Sequence, residues 1–202
     1  MTEHHDSNDL ENLLSEIRAC RVCAADLPMG PRPTLGCASS ATILIAGQAP
    51  GIRVHETGIP WNDPSGDRLR DWMGVDKDTF YDPTRIAIVP MGFCYPGTNP
   101  RGGDFPPRPE CSRTWHDRIM ALLPDIRLTL AIGQYAQAWH MQGRTRKTLT
   151  ETVANWRQVA PGVIPLPHPS GRNNIWLKRN PWFAEELLPE LKASVRQQLA
   201  EG

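Results

Sequence analysis

The chain has 202 residues, 40% of them hydrophobic, which is enough for one domain with a buried core. Lys and Arg together number 22, as do Asp and Glu, so no net charge attracts nucleic acid and an anionic partner must bind local basic patches. No apolar run approaches the roughly 18 residues of a membrane span. The start of the chain has no signal-peptide pattern. We expect one cytoplasmic domain, 1–202, with no membrane partner.

Helix and strand patterns alternate along the chain. Apolar residues at helical spacing from Leu10 to Cys20 predict a first helix, with Asn8 as its candidate cap. Further helices are predicted from Ser65, over 109–123, from Gly133 and over 181–199. Strands are predicted at 42–46, 86–89, 128–132 and 163–166. This alternation predicts an α/β fold, a three-layer α/β/α sandwich with a central, mainly four-stranded parallel sheet.

Two loops follow predicted strands directly. The sequence Gly-Gln-Ala-Pro-Gly at 47–51 follows the first strand, and His-Pro-Ser-Gly-Arg-Asn at 168–173 follows the fourth. Ligands of α/β sheets bind at the carboxyl ends of strands. One loop offers bare backbone for close approach, and the other offers the titratable imidazole of His168. Together they predict a pocket for a flat polar ligand.

The segment between these loops adds an aromatic ring and a carboxylate. Trp61 follows Pro60 and precedes polar residues, outside any periodic apolar face, so it is a candidate platform on which a nucleobase stacks. Asp63 either caps the helix that begins near Ser65 or places a carboxylate beside the stacked ring. Residues 95–109 contain five Pro and three Gly, and a loop of this length is usually functional or disordered.

The cysteines form a recognisable spacing. Cys20 and Cys23 form a C-x-x-C pair, and Cys94 and Cys111 follow, separated by sixteen residues. In a cytosolic protein such thiols are typical of metal sites or reactive groups rather than disulfides. The pair alone is compatible with zinc or with redox chemistry. Cys37 is left over and is expected to be buried or inert.

These motifs together resemble the uracil-DNA glycosylase superfamily, over a stretch from about Cys20 to the last helix. The chain looks closest to the family 4-like bacterial enzymes, with features of family 5 and of the single-strand-selective branch. Residues 47–51 resemble the G-E-A-P-G loop that positions water and walls the uracil pocket, and 168–170 resemble the H-P-S motif of the leucine loop. Residues 58–61 resemble the G-x-P-F segment whose aromatic stacks on the flipped base, and 132–136 resemble the L-G-x-x-A strand end.

The resemblance implies a DNA repair glycosylase that hydrolyses the N-glycosidic bond of uracil in DNA. It implies a monomer that binds uracil-containing DNA, single- or double-stranded. The uracil-binding residues implied are Gly47, Ala49, Pro50, Gly51, Trp61 and Asn62. The DNA-binding residues implied are Ser65, Gly66, Pro169, Ser170, Gly171, Arg172 and Asn173. The metal ligands implied are Cys20, Cys23, Cys94 and Cys111, which match the spacing that holds a [4Fe-4S] cluster in family 4; zinc or no metal are the alternatives.

The catalytic residues depart from the family pattern. Gln48 stands where family 4 has Glu and cannot act as a general base, and Ala49 stands where family 1 has a catalytic Asp. Family 5 keeps an Asp near the position of Asp63. We therefore assign catalysis to Asp63 and His168, with Gln48 orienting the water. Pro90 aligns near the Asn that reads uracil in family 4, so backbone groups, Asn62 or Asn174 must replace it.

Other interpretations stay open at this stage. The insert with which one related branch traps DNA covalently is missing, so we expect turnover. His55 and Glu56 form an alternative catalytic pair to Asp63. A small-molecule nucleoside hydrolase and a damaged-DNA-binding protein with weak catalysis are alternative functions. The former would cleave free deoxyuridine, and the latter would bind damaged DNA without releasing a base.

Overall fold

A computed structural model describes residues 3–201, with side chains described from Asn8 onward. The strands are β1 (Ile43–Ala46), β2 (Ile86–Ile88), β3 (Leu128–Ile132) and β4 (Val163–Leu166). They form one parallel sheet in the order β2-β1-β3-β4. All four strands agree with the sequence prediction to within one residue.

Helices connect the strands. They are α1 (Glu3–Arg18), α2 (Ile52–Thr57), α3 (Pro64–Met73), α4 (Lys77–Tyr81), α5 (Pro109–Cys111), α6 (Asp117–Ala121), α7 (Gly133–His140), α8 (Leu149–Ala154), α9 (Asn174–Arg179) and α10 (Leu188–Glu201). A π-helical turn, Ser112–His116, joins α5 to α6, and a second one, Phe183–Leu187, leads into α10. Within residues 3–201 no helix is long and apolar enough to cross a membrane.

Several helix predictions change. The prediction that Asn8 caps the first helix is wrong, because α1 begins at Glu3 and Asn8 lies inside it. The short helices α2, α4 and α8 were not predicted, since five or six residues show too little apolar periodicity. Local capping nevertheless marks one of them: α8 begins with a capping box between Thr148 and Glu151.

The core lies in two layers, one on each face of the sheet. Along β1, Ile43 and Ile45 pack into a cluster with residues of α3 and α10, while Leu44 packs into another with residues of α1. Alternate residues of a strand point to opposite faces, so each layer of helices receives its own set of strand side chains. This arrangement is the predicted α/β/α sandwich.

The order of the strands creates a crevice at one edge. Strand β1 lies between β2 and β3. The connection from β1 to β2 therefore runs to one side of β1, and the connection from β2 to β3 crosses to its other side. At such a switch point the loops diverge and leave an opening beyond the carboxyl ends of the strands. The loops after β1 and β4 both begin at this edge, as the sequence predicts.

Candidate active site

A cavity of about 410 Å³ opens at the carboxyl edge of the sheet. Eleven of the predicted catalytic, uracil-binding and DNA-binding residues line it: Gly47, Gln48, Ala49, Pro50, Gly51, Trp61, Asp63, Ser65, His168, Ser170 and Arg172. Its volume is in the range of small-molecule sites. The fold therefore brings residues separated by more than a hundred positions in the chain to one place.

The remaining predicted residues lie outside the cavity lining. Asn62 is exposed beside Trp61, and Gly66 is buried beneath it. Pro169 and Gly171 belong to the loop after β4 without lining the cavity. Asn173 acts within that loop, because its side-chain amide donates a hydrogen bond of 2.7 Å to the carbonyl oxygen of His168.

Trp61 has a strained backbone that its neighbours hold in place. Its φ is +56°, in the left-handed region that side chains other than glycine rarely adopt. The hydroxyl of Tyr81 donates to the carbonyl oxygen of Pro60 at 3.0 Å, and buried Arg70 donates to that of Trp61 at 3.5 Å. Such strain persists only where the surroundings impose it, so Arg70 and Tyr81 are positioning residues for the Trp61 ring.

The Trp61 ring packs against the backbone of the first loop and against His168. A Cβ atom built on Gly47 would lie 3.0 Å from the ring, so a larger residue here would push the ring away from this loop. The ring also stacks on His168, with ring centroids 5.6 Å apart and an interplanar angle of 29°. Trp61 also contacts the core beneath it, which fixes one part of the ring and leaves the rest to line the cavity.

Asp63 combines the two roles that the sequence left open. Its Oδ1 accepts a hydrogen bond of 2.9 Å from the backbone N–H of Gly66 and so caps α3. The residue also lines the cavity, and its charge acts on His168. The helix cap therefore holds the carboxylate beside the imidazole.

His168 is held as a neutral hydrogen-bond donor. Burial lowers the pKa of its imidazole, and the charge of Asp63 opposes this effect. Its Nδ1 lies 3.2 Å from the backbone N–H of Ser170 and accepts a hydrogen bond from it. In the neutral ring the proton then resides on Nε2. A neutral imidazole with a free N–H can stabilise negative charge on an oxygen in the cavity.

Basic side chains support the rim near the second loop. Arg172 lines the cavity mouth. Arg68 of α3 donates to the carbonyl oxygen of Ser170 at 3.2 Å and to Oδ1 of Asn174 at 2.9 Å. Asn174 is thus engaged by Arg68. Ile175, which the sequence analysis did not single out, is 65% exposed on the same segment.

Residues 33–192 match a model of the uracil DNA glycosylase superfamily. The match covers most of the chain and includes both loops of the cavity. The chain belongs to this superfamily. It is therefore a DNA glycosylase of the uracil-DNA glycosylase type, a class of hydrolases that act in base excision repair. The closer likeness to family 4 stays a prediction.

The glycosylase cavity contains a carboxylate that sequence reasoning missed. Asp104 lines the cavity from the Pro- and Gly-rich loop 95–109, in which it is the one acidic residue. Partial burial raises the pKa of its carboxyl group, although a Thr98 hydrogen bond and the charge of Arg172 lower it. The sequence did indicate that the loop 95–109 is functional, because of its length. It did not indicate which residue of the loop lines the cavity.

Gln48 links the first loop to the segment that holds Asp104. Its Nε2 donates a hydrogen bond of 3.1 Å to the carbonyl oxygen of Phe105. The amide nitrogen is therefore engaged by protein, and only the amide oxygen is left to orient a water. Gln48 thus also fixes the position of the loop 95–109 at the cavity.

The alternative catalytic pair and the basic residue Arg108 lie outside the cavity lining. His55 is buried against Tyr95, Glu56 is exposed, and neither lines the glycosylase cavity. Arg108 forms ion pairs with Asp26 and Glu110 instead of facing the cavity. Its charge is therefore compensated within the protein.

Pro90 forms the wall of the cavity just after β2. Pro90 lines the cavity, and its carbonyl oxygen accepts a hydrogen bond of 3.1 Å from Nε2 of buried His116. His116 in turn stacks on Phe93, with centroids 5.3 Å apart. This wall is thereby rigid and offers no side-chain amide to a base.

The four predicted metal ligands surround a second, smaller pocket. Cys20, Cys23, Cys94 and Cys111 all line it, together with apolar residues. Burial raises the pKa of Cys94 to about 11 and that of Cys111 to about 12. Within residues 3–201 no group of three or more His, Cys, Asp or Glu side chains is arranged to hold a metal ion. The thiols are thus gathered around a space rather than around one point.

Cys37 lies away from this pocket. It is buried in the core layer next to α1, and burial raises the pKa of its thiol to about 12. A thiol in this state is a weak nucleophile.

Proposed function

We propose that this glycosylase hydrolyses the bond between uracil and deoxyribose in DNA and leaves an abasic site, without cutting the strand. The observation that supports this most is the grouping of Trp61, Asp63 and His168 in one cavity, with the two rings stacked. A flat ring platform, a carboxylate and a neutral imidazole are what base excision from a sugar needs.

The target nucleotide must leave the helical stack, because its glycosidic carbon is inaccessible inside it. In the proposal Ser65, Ser170 and Gly171 contact phosphates, while Arg172 and Asn173 enter the space that the base vacates. Pro169 and Gly66 shape the two loops. Exposed Ile175 adds an apolar side chain to that surface.

The extruded uracil stacks on Trp61 and packs against the backbone of Ala49, Pro50 and Gly51. These walls are rigid, because Trp61 is held by core contacts and Gly47 allows close approach. A tight aromatic site excludes thymine through its methyl group. The edge of the base is read by backbone groups, or by Asn62 if it turns inward.

Bond cleavage is assigned to His168 and Asp63. As the C1′–N1 bond breaks, its electron pair moves onto uracil, and the Nε2–H group of His168 donates a hydrogen bond to the uracil oxygen that gains charge. The carboxylate of Asp63 stabilises the positive charge on the sugar. Water then adds to C1′, oriented by the amide oxygen of Gln48. The water gives up one proton, which the uracil anion finally receives.

The test is excision from oligonucleotides with a single uracil, hypoxanthine or xanthine, in single and double strands, with alkali cutting the abasic product. We expect release of uracil, and a loss of about 100-fold or more in Asp63→Asn and in His168→Ala. Near-normal rates in both variants would contradict the assignment. Cleavage of free deoxyuridine but not of DNA would indicate a nucleoside hydrolase, and binding without release would indicate a damage-binding protein.

We also propose that Cys20, Cys23, Cys94 and Cys111 hold a [4Fe-4S] cluster. Four thiols around an apolar space suit a cluster of several atoms better than a single zinc ion, whose ligands must converge on one point. When bound, the cluster would tie the segment after α1 to the loops after β2, as a structural element.

The cluster is tested by the visible spectrum and iron content of the purified protein. We expect a brown protein, with both signals reduced in Cys94→Ser and unchanged in Cys37→Ser. A colourless protein with zinc, or with no metal, would contradict the proposal. We further propose that the enzyme acts as a monomer in the cytoplasm.

A further inference from the structure

Asp104 has no structural task that explains its place in the cavity. It caps no helix, and no ion pair involving it occurs within residues 3–201. Its one side-chain hydrogen bond is a long one, 3.4 Å from the Thr98 hydroxyl to Oδ1. Its other oxygen, Oδ2, is left to face the cavity and the first loop. An acid with raised pKa in a cleft is a candidate for function.

The loop around Asp104 is ordered by many contacts. The backbone N–H of Phe105 donates to the carbonyl oxygen of Gly97 at 2.8 Å. The backbone N–H of Asn99 donates to the carbonyl oxygen of Gly103 at 2.7 Å. The Tyr95 hydroxyl is hydrogen bonded to that of Thr98, and Gln48 donates to the Phe105 carbonyl oxygen. These contacts hold the carboxylate at a defined place, as a catalytic group requires.

Asp104 and Asp63 act on different parts of the cavity. Oδ2 of Asp104 lies 3.6 Å from the position of a Cβ atom on Gly51, so it covers the first loop where that loop has no side chain. Asp63 lies instead beside His168 and influences its pKa, whereas Asp104 does not. The cavity thus has one carboxylate near the leaving group and one away from it.

We infer that Asp104 is the carboxylate that accepts a proton from the attacking water. This inference rests on the proposed function. In the step, the water oxygen bonds to C1′, the C1′–N1 electron pair departs with the base, and one water proton passes to Oδ2 of Asp104. Asp63 then serves the sugar cation alone, and Gln48 is a positioning residue that holds the Asp104 loop.

The separation of roles has a physical reason. A proton acceptor for water must approach the sugar on the side away from the departing base, so that the nucleophile and the leaving group do not compete for space. A negative charge beside the leaving base also disfavours the anion that forms there. Asp63, next to His168, is in the poorer place for the first task, and Asp104 is in the better one.

The experiment compares Asp104→Asn, Asp63→Asn and Asp125→Asn in the full chain. Asp125 is an exposed aspartate in the turn before β3, at the opposite edge of the sheet, and serves as the matched control. Two measurements are made: single-turnover release of uracil, and the affinity for oligonucleotides with a cationic pyrrolidine or a neutral tetrahydrofuran abasic analogue. The second does not require excision.

We expect Asp104→Asn to release uracil about 100-fold or more slowly than the wild type. In a further variant, Asp104→Ala, added formate should restore part of the lost rate. The affinity of Asp104→Asn for the neutral analogue and its preference for the cationic analogue stay those of the wild type, whereas Asp63→Asn loses that preference because Asp63 serves the sugar cation. Asp125→Asn behaves as the wild type. Formate rescue distinguishes a proton acceptor from a residue that only supports the loop.

Each other outcome has one meaning. If Asp104→Asn releases uracil at the wild-type rate while Asp63→Asn does not, the inference is overturned and the proposed function stands. If the wild type prefers the cationic analogue and releases hypoxanthine or xanthine but no uracil, and Asp104→Asn loses only the release, Asp104 is supported and uracil is the wrong base. If the wild type shows neither property, both proposals fail.

Discussion

Trp61 and His168 stack on each other, with ring centroids 5.6 Å apart and planes inclined by 29°. The two residues come from different loops, one before α3 and one after β4. A change in either ring therefore alters the place of the other.

Replacing the Trp61 ring tests its role as a stacking platform. Trp61→Leu removes the π face and should weaken uracil release by about 10- to 100-fold, since stacking of a base contributes about 1–3 kcal/mol. Trp61→Phe keeps a flat ring and should retain most of the rate. Single-turnover release and affinity for an oligonucleotide with non-cleavable 2′-fluorodeoxyuridine are measured. Equal rates in both variants would contradict a stacking role.

Gly66 tests the packing beneath Trp61. In the first turn of a helix, Gly→Ala ordinarily stabilises by about 1 kcal/mol. Here a Cβ atom would lie 1.8 Å from the carbonyl oxygen of Trp61. Gly66→Ala should therefore destabilise the fold by about 2 kcal/mol or more and reduce uracil release. Urea unfolding measures the first effect, and Gly36→Ala, with open space around its Cβ, is the control that should change little.

The titration of His168 tests the neighbouring charge. Burial lowers the pKa of its imidazole, and Asp63 opposes this. Asp63→Asn keeps a good helix cap but removes the charge, so the pKa of His168 should fall further. NMR of the His168 ring against pH measures the midpoint, which should move to lower pH in Asp63→Asn and stay in place in Asp125→Asn. A rise would contradict the assignment.

In the proposed mechanism the neutral form of His168 acts on the leaving uracil, so the same titration should set the acid limit of the rate. The lowered pKa of His168 means that the neutral form persists below pH 6.5. We expect the rate to be level above that pH and to decline only as the pH falls through the lowered pKa. A decline that begins at neutral pH would indicate a charged His168 in the folded enzyme.

His140 links stability to pH. Burial lowers its pKa from 6.5 to about 4. Below pH 6.5 His140 therefore binds a proton more readily in the unfolded chain than in the folded protein, so acid favours unfolding. From pH 7 to pH 5 this residue should lower the free energy of unfolding by about 2 kcal/mol. Urea unfolding at both pH values measures this effect. The free energy of unfolding should fall less in His140→Gln than in the wild type, by that amount, and an equal fall in both proteins would refute the assignment.

Local sequence signals determined most of the sheet and the main helices. Runs such as Leu128–Ile132 are apolar throughout, which indicates strands buried on both faces, and their bounds agree with the structure. Asp63 was also readable as a cap, because capping depends only on a residue and the next turn. Helix α2 could not be read in this way, because its six residues show too little apolar periodicity and no side chain caps its start.

Chain order and strand direction are enough to put the two loops, at 47–51 and 168–173, at the same edge of a parallel sheet. The side chains that meet there could not be read from the sequence and are known from the folded structure. It brought Asp104 from a long loop against Gly51, stacked Trp61 on His168 and left Asn62 at the surface. Such contacts depend on loop geometry and on close packing between distant segments, and neither leaves a periodic signal in the chain.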